Sequence, residues 1–241
     1  MKKSPWIFVV LTIFLATLRI YGEDDCEKRK CIKNIEEALD ATYVLIDPGH
    51  GGTEPQAVFV DKDTQEKTEE KDLNLKISKA LKNRLIQLGI KNVDLTRNKD
   101  ENLEEDERVE RIIELFARAK KNFQRECEEF YPIFISIHQN SHWNQNAHGT
   151  EQRLGYWHGE NGFLNSLPWM VDDQLRVYFD AHQGEWCWPG EFLFRDAIIP
   201  LRDGTKVEGE DVKMNIQHTL AEIGFISNSD DRQKLRTTNK I

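Results

Sequence analysis

Two histidines in this sequence each follow a short apolar run of the kind that forms strands. His50 lies beyond the run 43–46 and an Asp-Pro-Gly turn, and His138 directly follows the run 133–137. Valine, isoleucine, phenylalanine and tyrosine are frequent in both runs, which predicts buried strands. In open α/β sheets, ligand sites lie beyond the carboxyl ends of strands. If these strands are near neighbours, both imidazoles reach the same rim of the sheet.

Two glycines, Gly51 and Gly52, come directly after His50. They tolerate the positive φ that such a turn can need, and they leave room for another group to come close to the imidazole. A tight turn that carries a solvated histidine is the alternative interpretation of the same residues.

Two imidazoles at one rim suggest a metal centre. A catalytic zinc ion commonly has three protein ligands, often two histidines and one glutamate, with water in the open position. Glu69 and Glu70 stand at the start of a predicted helix and are candidates for the carboxylate. Acidic residues in a first helical turn also favour the helix dipole, and by composition alone that explanation is the better one. The residues by themselves therefore leave the third ligand open.

The elements that must position these residues alternate between strand and helix. A stripe of apolar residues from Leu73 to Leu88 predicts a helix that ends at Gly89. A second amphipathic pattern predicts another helix. The expected order is a strand at 42–46, a helix at 71–88, a strand at 92–96, a helix at 100–124 and a strand at 133–137. This order predicts an α/β layer with a largely parallel sheet.

Other parts of the chain have weaker patterns. Residues 23–40 predict a short N-terminal helix, and the polar residues 53–68 predict a loop. Residues 155–215 are rich in aromatic side chains and irregular, and residues 217–228 predict a late strand that leads into a turn. We expect the aromatic segment either to line a substrate groove or to extend the hydrophobic core.

The N-terminus predicts export. Lys2 and Lys3 precede an apolar run of 13 residues, 5–17, which is short for a bilayer span of about 20. We therefore predict a signal peptide at 1–22 and a periplasmic or extracellular protein; an uncleaved membrane anchor through residues 5–18 is the alternative. Four cysteines, Cys26, Cys31, Cys127 and Cys187, would follow the cleavage site and could pair in an oxidising compartment, with free buried thiols as the alternative.

The charge balance excludes some partners. The formal net charge is −9, and removal of residues 1–22 would take away three basic residues and bring it to −12. Binding to nucleic acid depends on basic residues that contact phosphates, so a nucleic-acid partner is not expected. An anionic membrane surface is a poor partner for the same reason.

Six short segments occur in a characteristic order along the chain. They are Asp-Pro-Gly-His-Gly-Gly at 47–52, Glu-Lys-Asp-Leu-Asn-Leu at 70–75, Leu-Thr-Arg at 95–97, Ile-Ser-Ile-His-Gln-Asn at 135–140, Gly-Thr-Glu at 149–151 and Glu-Ile-Gly-Phe-Ile-Ser-Asn at 222–228. Together they resemble the zinc-dependent N-acetylmuramoyl-L-alanine amidases of the Amidase_3 type. The resemblance implies a single α/β catalytic domain, 41–241, with a mixed, largely parallel central sheet flanked by helices on both faces.

The resemblance also implies an activity and a set of site residues. The family cleaves peptidoglycan between the lactyl group of muramic acid and the first L-alanine, with Zn²⁺ as cofactor. Its zinc ligands fall on His50, Glu70 and His138, and its catalytic glutamate, a general base, falls on Glu222. Asn140 and Glu151 are expected to support the site or the substrate.

Two other functions fit the same residues. One is an exported peptidoglycan-binding protein that kept the scaffold without turnover, and the other is a zinc peptidase that cleaves a different amide. The full set of ligands together with Glu222 favours the amidase. The chain departs from the family pattern in the loop 53–68, which lacks the usual Asp-x-Gly, and in the segment 155–215.

Overall fold

A computed structural model of the protein describes residues 35–125, 130–153, 206–207, 210–211 and 216–237. The predicted order of strand, helix, strand, helix and strand is present in this part of the chain, with further short strands between and after these elements. The elements are α1 (Ile35–Ala41), β1 (Thr42–Pro48), β2 (Val58–Val60), β3 (Lys67–Glu69), α2 (Glu70–Gln87), β4 (Asn92–Leu95), α3 (Glu105–Arg125), β5 (Tyr131–Asn140), β6 (Glu151–Arg153), β7 (Lys206–Val207), β8 (Glu210–Asp211), β9 (Gln217–Phe225) and α4 (Ser229–Arg236).

Five strands form the central sheet, in the order β4-β1-β5-β9-β6. Strands β4, β1, β5 and β9 run parallel, and β6 pairs antiparallel with β9 at the edge. The prediction of a mixed, largely parallel sheet is therefore confirmed. Because β1 and β5 are direct neighbours, their carboxyl ends meet at one rim, which carries His50 and His138.

Each face of the sheet packs against one long helix. Val44 and Ile46 of β1 share a hydrophobic cluster with α2, whereas Tyr43 and Leu45 share a second cluster with α3. This alternation follows from the period of two of a strand, whose successive side chains point to opposite faces. Because helices cover both faces of the sheet, as predicted, strands β1 and β5 carry apolar side chains on both sides.

The helix boundaries differ from the predictions in one important place. Helix α2 ends close to the predicted residue, and Gly89 follows it with a φ of 101°. Helix α3 begins at Glu105 and not at Asp100 as predicted. The reason is tertiary, because Asp100 accepts hydrogen bonds from Gly52 N and Lys71 Nζ and therefore belongs to a loop.

The prediction of a loop over 53–68 is wrong in part. Strands β2 and β3 pair antiparallel there as a small hairpin. Phe59, on the inner face of the hairpin, lies 3.6 Å below the guanidinium carbon of Arg232 of α4. Strands of three residues are too short to produce a recognisable alternation of apolar and polar side chains, so the hairpin depends on this packing.

The late strand is confirmed as β9, and helix α4 follows it with Asn228 as its N-cap. The predicted signal peptide, the four cysteines and the aromatic side chains of 155–215 lie outside the described residues, as does most of the predicted helix 23–40. Among the residues that the structure describes, no helix has the length and apolar character to cross a membrane.

Candidate metal centre

The centre is built where β1 and β5 end and α2 begins. His50 follows β1 in a tight turn, Glu70 is the first residue of α2, and His138 lies near the end of β5. Candidate ligand atoms from these three residues all lie within 4.8 Å of one another. The structure thus brings together the three residues that the resemblance assigned to zinc.

Glu70 occupies the middle of this group. His50 Nε2 lies 3.3 Å and His138 Nδ1 lies 3.1 Å from its Oε1 atom. The same oxygen accepts hydrogen bonds from the backbone N–H of Gln139 and from Asn74 Nδ2, and Oε2 accepts one from Ala57 N. Glu70 is therefore a buried, oriented carboxylate and not a solvated residue of a first helical turn.

The surroundings of Glu70 and His138 change their pKa values in opposite directions. Burial by itself would raise the pKa of Glu70, but the hydrogen bonds and charges of His138 and His50 outweigh it and hold the pKa far below its ordinary value. Burial would lower the pKa of His138, but the hydrogen bond with Glu70 and the charge of Glu222 raise it. Two imidazoles thus stabilise one buried negative charge.

A close approach of the backbone makes this arrangement sterically feasible. A Cβ atom at position 49 would lie 2.2 Å from Cε1 of His138, so only glycine fits beneath that imidazole. The carbonyl of Gly49 is held by Arg97 Nη2 and Asn74 Nδ2, at 2.9 and 3.1 Å. The Asp-Pro-Gly sequence therefore serves the His138 side of the site as well as the turn before His50.

Gly51 and Gly52 have the positive φ that was predicted, but the space beside them is used differently from the prediction. The space beside them is filled by the chain itself: a Cβ at position 51 would lie 2.2 Å from Glu101 O, and one at position 52 would lie 2.5 Å from Asn102 N. Both glycines have positive φ, 144° and 55°. They let the loop before α3 pack against the turn, and this loop is what comes close to them.

The three residues fit a divalent metal ion. Tetrahedral zinc with ligand distances of about 2.0–2.2 Å separates its ligand atoms by roughly 3.3–3.6 Å. The distances of 3.1 and 3.3 Å between the imidazole nitrogens and Glu70 Oε1 are close to that range. Two neutral imidazoles and one carboxylate are also the donor set of catalytic zinc, and hydrogen bonds from Gln139, Asn74 and Ala57 orient the carboxylate, as such bonds do in zinc sites.

Glu222 lies beside His138, on the neighbouring strand β9. In the parallel register it is the partner of His138 on β5, and in the antiparallel register it is the partner of Glu151 on β6. Glu222 is buried, with only 7% of the residue exposed. A carboxylate at this position faces the same rim as His138, which agrees with the predicted general base, although that role stays a prediction.

Asn140 and Glu151 form a pair next to Glu222. Asn140 Nδ2 donates a hydrogen bond of 2.8 Å to Glu151 Oε2. The pair joins the end of β5 to the edge strand β6 across the end of β9. The structure thus places both residues near the predicted base, and their roles in supporting site or substrate stay predictions.

Five other histidines occur in the chain and match none of the ligand positions of the resemblance. His142 and His148 are exposed in the loop that follows β5. His158, His182 and the side chain of His218 lie outside the described residues. Within the described part of the chain, the one cluster of histidine, cysteine or acidic side chains that fits a metal ion is that of His50, Glu70 and His138.

Several residues that build the site were not singled out from the sequence. Arg108 and Asp47 contact each other beneath the His50 turn, and Ser136 and Thr96 complete that group. Asn74 holds Glu70 from one turn further along α2. Two signals were available: Ser136 interrupts an otherwise apolar strand, and Asn74 lies four residues after Glu70 and therefore on the same helix face.

A comparison with protein families identifies this region. The model of the Amidase_3 family, described as N-acetylmuramoyl-L-alanine amidase, matches residues 44–156. This part of the chain therefore matches that family. The predictions of the family and of an amidase that acts on peptidoglycan are therefore confirmed. A comparison with curated protein sequences gave no match.

Solved structures of similar fold support the architecture. The N-acetylmuramoyl-L-alanine amidase AmiC2 of Nostoc punctiforme is 22% identical with a TM-score of 0.53, over 82% of this chain and 87% of that one. The CwlD amidase from Clostridioides difficile, solved in complex with the GerS lipoprotein, is 23% identical with a TM-score of 0.51, over 83% and 90%. Cwp6 from Clostridium difficile is 22% identical with a TM-score of 0.53, over 83% of this chain but only 27% of its own. At these identities the similarity shows a shared fold.

Proposed function

We propose that this amidase is a zinc-dependent hydrolase that cleaves the amide bond between N-acetylmuramic acid and L-alanine in peptidoglycan. The observation that carries the proposal is the group of two imidazoles around the buried carboxylate of Glu70. Membership of the amidase family supports the substrate, and the donor set supports the metal.

His50, Glu70 and His138 would hold the ion. Zinc, when bound, polarises the amide carbonyl and lowers the pKa of a bound water to about 7. The chain contributes the orientation of the ligands: Gln139 N and Asn74 Nδ2 fix Glu70 Oε1, and the packing of Gly49 fixes the ring of His138. Such fixed geometry reduces the reorganisation that the reaction would otherwise require.

Glu222 is proposed to move the proton. Its carboxylate accepts a proton from the water as the water attacks the amide carbon, and it then donates that proton to the leaving amino group of L-alanine. The position of Glu222 opposite His138, on the strand next to β5, supports this role. The carbon–nitrogen bond breaks, which leaves a free lactyl carboxylate on the sugar and a free amine on the peptide.

Digestion of purified peptidoglycan followed by mass spectrometry tests the reaction. The proposal expects stem peptides with a free N-terminal L-alanine and glycan strands that retain their sugars. Fragments cut within the stem peptide would support a zinc peptidase. Binding to the sacculus without any fragment, in protein that carries zinc, would support the non-catalytic alternative.

Export is part of the proposal, because peptidoglycan lies outside the cytoplasmic membrane. Lys2, Lys3 and the apolar run 5–17 support it. Fractionation and N-terminal sequencing of the mature protein test it. A new N-terminus close to residue 23 would support a signal peptide, and an intact N-terminus in the membrane fraction would support the anchor. Unprocessed protein in the cytoplasm would contradict export.

A further inference from the structure

We propose that Arg108 is a positioning residue for the metal ligand His50. From helix α3, on the face of the sheet opposite α2, its guanidinium holds the backbone of the His50 turn and so sets the direction of the imidazole. This inference rests on the proposed function, because it concerns how the chain prepares the metal centre.

His50 has an unusual backbone conformation. Its φ is 58°, in the left-handed region that residues other than glycine rarely adopt. Strained conformations of this kind persist when the surrounding structure holds them in place, and they are frequent at functional sites. The position of the imidazole therefore depends on whatever fixes the peptide groups on either side of His50.

Arg108 contacts those peptide groups directly. Its Nη2 donates a hydrogen bond of 3.1 Å to the carbonyl oxygen of His50, and its Nη1 lies 3.2 Å from that of Pro48. One planar guanidinium thus reaches two carbonyls of the same turn. A lysine ammonium is a point charge and lacks this fork of donors.

The guanidinium is itself anchored to the sheet. Arg108 Nη1 forms an ion pair of 2.5 Å with Asp47 Oδ1, and the side chains of these residues are only 16% and 5% exposed. Asp47 also accepts hydrogen bonds from Thr96 Oγ1, at 2.5 Å, and from Ser136 Oγ, at 2.9 Å. Since Asp47 and Ser136 lie on β1 and β5, and Thr96 follows β4, Arg108 takes its position from three neighbouring strands.

A second arginine makes complementary contacts. Arg97 Nε donates to the carbonyl of Pro48, and its Nη2 donates to that of Gly49, each at 2.9 Å. Arg97 is buried and also holds the carbonyl of Lys71, so its contacts extend into the start of α2. Arg97 thus holds the carbonyls before His50, whereas Arg108 reaches the carbonyl of His50 itself.

Arg108→Lys tests the inference in the full-length protein. It keeps a cation beside Asp47 but loses the fork that reaches Pro48 and His50. We expect the zinc affinity, measured by competition with a chromogenic chelator, to fall about 10–100-fold, as is typical for residues that orient a ligand. The visible absorption of the cobalt-substituted protein should also change, because a displaced imidazole alters the ligand field.

Arg111→Lys is the matched control. Arg111 lies one turn further along α3, and its Nη1 contacts Thr96 O and Glu101 Oε1 and not the His50 turn. The zinc affinity and cobalt spectrum of the Arg111→Lys variant should equal those of the parent. If Arg108 has a purely structural role, Arg108→Lys should lower the melting temperature, as loss of the Arg111 contacts can, without changing the cobalt spectrum of the folded protein.

The double variant Asp47→Asn/Arg108→Met covers the case in which Arg108→Lys does not fold. It removes both charges together, so no unpaired buried charge is left, and it still lacks the contact with His50 O. It should show the same loss of affinity and the same type of spectral change as Arg108→Lys.

The outcomes separate the two proposals. If the parent binds zinc and the Arg108 variants bind it equally tightly with an unchanged cobalt spectrum, the positioning role is overturned and the proposed function stands. If the parent binds no zinc, the metal-dependent function fails, and this inference fails with it.

Discussion

Two buried carboxylates flank the end of β1, and their partners differ in kind. Asp47 meets the guanidinium of Arg108, a permanent cation, and the hydroxyl groups of Thr96 and Ser136. Glu70 meets two imidazoles, which carry charge only when they are protonated. The charge of Asp47 thus faces a permanent cation, whereas that of Glu70 faces two imidazoles and hydrogen-bond donors of Gln139, Asn74 and Ala57.

The difference shows which of the two groups is a scaffold and which is a site. Burial would raise the pKa of each carboxyl, but Arg108 lowers that of Asp47 and the two histidines lower that of Glu70. A metal ion can bind an imidazole nitrogen in place of a proton, whereas a guanidinium stays protonated and does not bind a metal ion. The Glu70 group therefore has the composition of a site, whereas the Asp47 group holds the strands beside it.

The largest effect is expected from removal of a ligand. His50→Ala, His138→Ala or Glu70→Gln should abolish bound zinc, measured by elemental analysis, and reduce peptidoglycan hydrolysis to background. The control is His142→Ala, whose exposed imidazole contacts two neighbours in its own loop, the backbone N–H of Asn144 and the ring of Trp143. Full zinc content in any of the three ligand variants would remove that residue from the ligand set.

Glu222→Gln should separate metal binding from chemistry. The amide is nearly isosteric but cannot accept the proton, so the rate should fall roughly 10²–10⁴-fold while zinc and fold are kept. The measurements are single-turnover hydrolysis, zinc content and circular dichroism. Near-normal turnover would rule out the general base, and loss of zinc would instead make Glu222 a ligand.

Asp47→Asn should act on stability more than on chemistry. Removal of one partner of a buried ion pair costs roughly 3–5 kcal/mol, which a denaturant titration of the metal-free protein would detect. The surface pair of Asp40 and Lys91, with side chains 38% and 69% exposed, provides the control, and Asp40→Asn should cost less than about 1 kcal/mol. Equal losses in both variants would contradict the assignment of Asp47 as scaffold.

The same variant gives a pH test. Because folding lowers the pKa of Asp47, its ionised form stabilises the native state above about pH 4, and this contribution is lost as the pH falls through the folded pKa. The stability difference between the parent and Asp47→Asn should therefore shrink as the pH is lowered below about 4. A difference that stays constant with pH would show that the charge of Asp47 is not what stabilises the fold.

The smallest effect is expected from Ser136→Ala. It removes one hydroxyl that donates to Asp47 Oδ2, while Thr96 and Arg108 still contact the other oxygen. A loss of about 1–3 kcal/mol is expected for a buried hydrogen bond to a charged group. Zinc affinity should stay close to that of the parent, and a large fall in affinity would mean that the two groups are more tightly coupled than the contacts indicate.

The fold was predictable where the apolar pattern is long. Helix α2 and strands β1 and β5 were each expected from their sequences, because their buried residues recur at the period of a helix or form continuous apolar runs. The start of α3 and the hairpin of β2 and β3 were missed. In both places the conformation is set by distant contacts, those of Asp100 with Gly52 and Lys71 and that of Phe59 with Arg232.

The site divides in the same way. The sequence by itself gave the two strand-end histidines and, through its resemblance to a family, the choice of Glu70 and Glu222. Only the tertiary structure could show that Glu70 lies between both imidazoles and that Arg108 holds the carbonyl of His50. The physical reason is that residue type and local spacing act along the chain, whereas hydrogen bonds between residues 58 or 68 positions apart depend on how the sheet and its helices pack.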